Sequence, residues 1–170
     1  MSVSRQQAEE LARQTLLQHG LLSVPVDPVV VAEALGMKVY NAKFSEENLA
    51  GLLSRRGKTV TMLISEADPP YRKRFSIGHE IGHYLLHLEG DGEVIDQVAD
   101  MFRTVPSEGE RERDEWRREV EANQFAAALL MPAELVRAEW ERDKSIAGLA
   151  RRFNVSEEAM GIRIATLGLG

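Results

Sequence analysis

Residues 75–87 read FSIGHEIGHYLLH, a run that holds three of the chain's four histidines, a glutamate beside the first of them, and two glycines where a helix is expected. Ile77, Ile81, Leu85 and Leu88 recur at helical spacing, so one side of this helix is apolar and the side carrying His79 and His83 is not simply the solvated one. A helix buried on both sides requires partners for its imidazoles and carboxylate. His79 and His83 are four residues apart, about 40° around the helix axis, so both can reach one ion. Glu80 lies about 60° from His83, near enough to hold a water on that ion without ligating it. This is the H-E-x-x-H spacing. Two neutral imidazoles leave a bound divalent ion Lewis-acidic, and the neighbouring carboxylate takes a proton from the attacking water and passes it to the leaving amine. A His and carboxylate set favours zinc, with manganese or another divalent ion as the alternative.

Two histidines do not complete a catalytic zinc site, which keeps three protein ligands and one open position. His87 is four residues further on, yet its direction has drifted about 80° from His79, and a straight helix hardly converges three such side chains on one ion. A glycine and a further histidine at the spacing used by one large class of zinc peptidases are absent, since Leu86 and Glu89 occupy those places. His87 is therefore read as a helix-end or cleft residue. The third ligand is expected from another helix, in the run from Ser107 into EVEANQFAAALLMP, where a charged half becomes apolar before Pro132 ends it. Glu119 and Glu121 both flank the stripe of Ala122, Phe125, Ala126 and Leu129, and helical phase alone leaves the choice open. Tyr84 and His87 are the candidates for the cleft or the oxyanion, with Tyr71, Tyr40 and a nearby arginine as further candidates for the oxyanion. Gly78 and Gly82, four apart, each cost a helix about 1 kcal/mol relative to alanine, so another element is expected to pack closely against that strip.

Outward from this helix, the sequence reads as α+β and mainly helical. Residues 4–18 form an amphipathic helix stopped by Gly20, and VDPVVVAEALG places Asp27 as cap, Pro28 at the first position and Gly36 at the left-handed end. MKVYNAKF, LAGLLSR and TVTMLIS are β-prone, the last two joined by the turn RRGK, giving a small three-stranded antiparallel sheet before the histidine helix. Asp68 is expected to cap that helix, ahead of two prolines. After Pro132, Ser145 and Ser156 read as caps of two short helices with a tight turn at Asn154, a helix-turn-helix-like pair. Residues 1–142 and 143–170 are read as a main domain and an appended subdomain.

The bulk properties narrow the function. The chain has 170 residues, 44% apolar and 28% charged, a formal net charge of -6 and no cysteine. Thiolate chemistry is excluded, and a surface built throughout for nucleic acid is not indicated. The polar beginning MSVSRQQAEELARQ lacks the apolar core of a signal peptide, and no apolar run approaches a membrane span, which points to the cytoplasm.

Taken together, RFSIGHEIGHYLLH, EVEANQFAAALLMP and LARRFNVSEEAMGIRIATLGL, with PVDPVVVAEALGMKVY upstream, resemble the ImmA/IrrE family of metallo-endopeptidases from about Pro25 onward. The resemblance implies a zincin-like fold with a gluzincin-like site: His79 and His83 as ligands, Glu80 as base and Glu121 as third ligand, with Glu119 as the alternative. It also implies a protein substrate, a partner helix-turn-helix repressor whose cleavage releases stress or mobile-element genes. Gly78 departs from the alanine expected there.

A competing reading is a regulator without turnover, binding DNA or a partner protein through its C-terminal helices. Against DNA, residues 144–170 carry Lys144, Arg151, Arg152 and Arg163 opposite Glu157 and Glu158, a surplus of only two positive charges, where readers of DNA bring a denser cluster. For the peptidase, an exposed strand edge such as TVTMLIS is expected to pair with an extended substrate.

Overall fold

The fold is described from a computed structural model over residues 3–45, 49–97 and 110–170. Helix α1 (Arg5–Gln18) is closed at its start by a capping box: Ser4 accepts from the Gln7 N–H, and the Gln7 side chain accepts from the Ser4 N–H. In α2 (Pro28–Ala34), Asp27 accepts from the Val29 N–H, and Gly36 follows with φ +80°. Strands β1 (Met37–Ala42), β2 (Leu49–Arg56) and β3 (Thr59–Ser65) lead into α3 (Pro70–Leu86), and β4 (Gly92–Gln97) comes after it. Helices α4 (Glu110–Leu130), α5 (Ala133–Arg142), α6 (Ile146–Phe153) and α7 (Glu157–Thr166) complete the described chain.

The architecture is α+β, but the sheet differs from a three-stranded antiparallel one. Its order is β1-β3-β2-β4, with β1 parallel to β3 and β2 antiparallel to both β3 and β4. The reason lies in burial. Val60, Met62 and Ile64 of β3 are buried at every second position, so this strand sits inside the sheet, whereas β1 buries Met37 and leaves Tyr40 half exposed. TVTMLIS therefore has a strand on each side and offers no free edge. Among the described residues, the sheet's outer edges belong to β1 and β4. The RRGK hairpin is present, with Arg56 opposite Thr59 and Gly57 at φ +59°. The β2–β4 register shifts between Leu49 and Gly51, a bulge.

One apolar cluster joins α1, α2, the sheet, α3 and the middle of α4; its largest members include Leu16, Leu53, Met62, Ile81 and Phe125. A second joins the end of α4 to α5, α6 and α7 through Leu130, Val136, Leu149, Phe153 and Met160. Ser145 and Ser156 cap α6 and α7 as expected, and Asn154 takes the left-handed turn at φ 55°. Arg163 fastens α7 to the rest: its Nε donates to the Met131 carbonyl at 2.9 Å and its guanidinium grips the Glu9 carboxylate of α1 with both terminal nitrogens. No helix of the described residues is long and apolar enough to cross a membrane.

Candidate metal centre

Helix α3 begins at Pro70 with Pro69 at the cap position, and Asp68 does not cap it: the Asp68 carboxylate instead pairs with Arg72 one turn in, at 3.4 Å. Pro70 at the first position has no N–H to satisfy, while those of Tyr71 and Arg72 have no side-chain cap. The middle of α3, from Ser76 to His83, is buried without interruption. Its apolar side lies in the first core cluster and its glycine strip lies on α4. A Cβ built on Gly82 would stand 3.1 Å from both the Cα and the carbonyl oxygen of Ala122, and one on Gly78 would stand 3.3 Å from the Cβ of Ala126. The two glycines meet two alanines, and the backbones of α3 and α4 come close enough for side chains on their flanks to share one point in space.

That point is where the imidazoles converge. The Nε2 atoms of His79 and His83 are 2.9 Å apart, and the Glu119 carboxylate reaches both, Oε2 at 3.2 Å from His79 and Oε1 at 3.2 Å from His83. On the other side of the ring, His79 Nδ1 lies 2.8 Å from Asn123 Oδ1. An amide oxygen only accepts, so Nδ1 carries a proton; without an ion Nε2 can donate to Glu119, and with one bound it would give up that proton and present its lone pair. Burial raises the Glu119 pKa, but hydrogen bonds and charge from His79 and His83 outweigh it and hold the group at about 2. Three donor atoms, two imidazole nitrogens and an ionised carboxylate, thus face one another, and these residues form the group suited to a metal ion among those described. Zinc bonds of about 2.0–2.2 Å in a tetrahedron imply donor-to-donor edges of about 3.3 Å. The 2.9 Å edge between the imidazole nitrogens is close to that value, and each nitrogen has one Glu119 oxygen at 3.2 Å, with one donor atom from each of the three residues within 4.8 Å of the others, so the donor set fits a divalent ion.

The other expected residues take definite places. Glu121 is not part of the His79, His83 and Glu119 group: Oε1 accepts from the Val3 N–H at 2.7 Å and Oε2 lies 3.5 Å from His87 Nε2. His87 ends α3, its N–H donating to the His83 carbonyl. Burial, then the neighbouring His83, push its pKa down to about 4, against the opposing pull of Glu121 and of the Arg118 backbone. Tyr84 packs against β2, its ring 6.0 Å from the Arg55 guanidinium. Tyr40 and Tyr71 are exposed. Glu80 is buried, 1% exposed, and its carboxylate lies over β2 at Gly51, where any Cβ would overlap Oε1. Gly51 and Asn123 were not singled out by the sequence reading. Asn123 carried a signal, since it lies four residues from Glu119 on the same helical face; the approach of Gly51 to Glu80 depends on how the sheet packs under α3, which no local pattern encodes.

Residues 32–165, most of the chain, match the family Peptidase M78, the IrrE N-terminal-like domain. The chain belongs to that family. Over 99 residues it is 36% identical to the radiation response metalloprotease IrrE of Deinococcus radiodurans and 39% identical to the protein of that name from Deinococcus deserti. Each alignment takes in 56% of this chain, but 27% and 32% of the relative, so the chain matches about a third or less of those proteins. Among solved structures, a Mycobacterium tuberculosis transcriptional regulator shares the fold with a TM-score of 0.63 at 19% identity, over 94% of this chain and 46% of that one.

Proposed function

We propose that the chain is a metal-dependent endopeptidase whose ion, zinc in the first instance and manganese as the alternative, is held by His79, His83 and Glu119. The observation that carries this reading is the convergence of those three side chains, with Glu80 next to His79 in the chain, in a member of a peptidase family. When bound, the divalent ion would supply Lewis acidity, acidifying water and polarising the scissile carbonyl. The chain's own residues do the rest. Glu119 and the two Nε2 lone pairs hold the ion, Asn123 fixes the His79 tautomer, and Glu80 takes the proton of the attacking water and delivers it to the departing amine. Close packing of α3 on α4 keeps the four groups in register, and the buried setting strengthens each electrostatic contact. The outer edge of β4, which pairs with no further strand among the described residues and lies next to the strand that carries Gly51, offers main-chain partners to an extended substrate segment. We assign third-ligand duty to Glu119 rather than Glu121, because Glu121 is engaged with Val3 and His87.

For the substrate we propose a helix-turn-helix repressor in the cytoplasm, whose loss releases the genes it silences. The radiation response metalloproteases among the relatives support a link to stress. The alternative of a DNA-binding regulator is weakened by the surroundings of its basic residues: Arg163 is bound to Glu9, Arg152 pairs with Glu139 and Lys144 with Glu141. The test uses zinc-loaded chain and the purified repressors of its own cell. Cleavage of one of them should vanish in Glu80→Gln while measured zinc content is unchanged. Cleavage that survives the substitution would refute the assigned mechanism.

A further inference from the structure

One turn before His79 and Glu80, α3 carries a hydroxyl that the chemistry described so far leaves idle. Ser76 is 0% exposed, and among the described residues its Oγ has no hydrogen-bond partner. A buried hydroxyl gives up its hydration, so one without a protein partner marks an enclosed water or a working site. The ordinary resting place for a hydroxyl inside a helix is the carbonyl four residues back. The chain uses that solution in α1, where Thr15 Oγ1 donates to the Leu11 carbonyl at 2.8 Å. Ser76 does not bond the Arg72 carbonyl in this way.

The position of Ser76 narrows the alternatives. Around the helix axis it stands about 40° from Glu80 and about 60° from His79, on the side of the ion ligands and away from the glycine strip that meets α4. Both ring nitrogens of His79 are taken, Nδ1 by Asn123 and Nε2 by the cluster with His83 and Glu119. The Glu80 carboxylate is the acceptor that remains within one turn on this face. Helical side chains lean towards the N-terminus, so Glu80 reaches back over the turn that carries Ser76. Their Cβ atoms are separated by the roughly 5–6 Å usual for residues four apart. That span suits a hydroxyl joined to a carboxylate directly or through one enclosed water, since buried waters settle beside polar groups that lack protein partners.

Glu80 has use for such a hold. Its carboxylate takes the proton of the attacking water and passes it to the departing amine, and both transfers require one oxygen to keep facing the reacting atoms. Gly51 leaves room for Oε1 over β2, but a glycine has no side chain with which to grip it. From this we infer that Ser76 is a positioning residue: its hydroxyl donates to the Glu80 carboxylate, directly or through one buried water, and holds it in the orientation that proton transfer requires. The bond is a matter of structure alone, whereas its duty rests on the peptidase reading.

Two measurements test the inference. A crystal structure of the zinc-loaded chain should place Ser76 Oγ within about 3.2 Å of a Glu80 carboxylate oxygen, or of one water that also bonds that carboxylate. An Oγ turned to the Arg72 carbonyl, or one with neither contact, would overturn it. In kinetics on the repressor that the parent chain cleaves, Ser76→Ala should lower kcat at least tenfold and leave KM within about twofold. Zinc content should be unchanged and Tm not lowered, because a merely structural loss would show there. Ser76→Cys, which refills the space but donates weakly, should share the fall in kcat. Parent kcat in either variant, or a loss that appears in KM or zinc content instead, would overturn the inference. The two failures separate: cleavage that depends on Glu80 and ignores Ser76→Ala removes the positioning and leaves the peptidase standing. A chain that shows the bond and cleaves none of the repressors removes the peptidase reading, and with it the duty of Ser76.

Discussion

The packing of α3 on α4 predicts that its two glycines respond differently to the same substitution. A methyl group at Gly82 would approach the Cα and the carbonyl oxygen of Ala122 to 3.1 Å and the Cβ of Phe125 to 3.3 Å. Carbon atoms prefer about 3.5–4.0 Å, and two of these neighbours are backbone, which cannot rotate away. Overpacking of this kind costs about 1–3 kcal/mol, against the roughly 1 kcal/mol gained by alanine in a helix. Gly82→Ala should therefore destabilise the chain by up to about 2 kcal/mol, a fall in Tm of up to about 8 °C at this length. The same displacement draws Glu119 away from the imidazoles, so zinc affinity should fall with stability. At Gly78 the nearest contacts are looser, 3.3 Å to the Ala126 Cβ and 3.4 Å to its Cα, and the helix gain offsets them; Gly78→Ala should stay within about 0.5 kcal/mol of neutral. Thermal and urea unfolding of the two variants, with and without zinc, gives the answer. A Gly82→Ala chain that gains stability and keeps its zinc affinity would show that α3 and α4 are not in the close contact on which the site depends.

Gly51→Ala places a methyl group in the space of Glu80 Oε1, so cleavage should drop by at least about tenfold with zinc content retained, and unchanged turnover would show that Glu80 does not need its seat on β2. For His87 the folded pKa of about 4 lies below the ordinary 6.5, so between those values the unfolded chain binds the extra proton and stability falls as pH drops. His87→Gln in the metal-free chain should flatten the stability profile between pH 6.5 and 4 by about 1–3 kcal/mol; a slope equal to that of the parent would contradict the burial of this ring.

The sequence made the histidine helix legible because its signal is local: the ligand spacing, the glycine strip and the apolar stripe all lie within seventeen residues. The caps at Ser145 and Ser156 and the turn at Asn154 were readable for the same reason. The sheet was misread because strand pairing is non-local. Consecutive strands usually neighbour one another, yet β2 passes beyond β3, and only relative burial shows that β3 belongs inside. Glu119 and Glu121 could not be separated by phase because they stand on opposite flanks of the stripe that faces α3. What separates them is the packing of α1, whose preceding residue Val3 takes Glu121 and leaves Glu119 to the imidazoles. The run from Glu89 to Glu110 carried no readable pattern; β4 lies in its first part, and positions 98–109 fall outside the described residues.

The most direct test of the central claim is the zinc dissociation constant, by competition with a chromophoric chelator, for the parent chain, Glu119→Gln and Glu121→Gln. Loss of a group that merely orients a ligand costs about 10–100-fold in affinity. Glu119→Gln should lose more than about 100-fold, and Glu121→Gln should remain within a few-fold of the parent. The opposite order, or a parent chain that binds no zinc, would contradict a centre built from His79, His83 and Glu119.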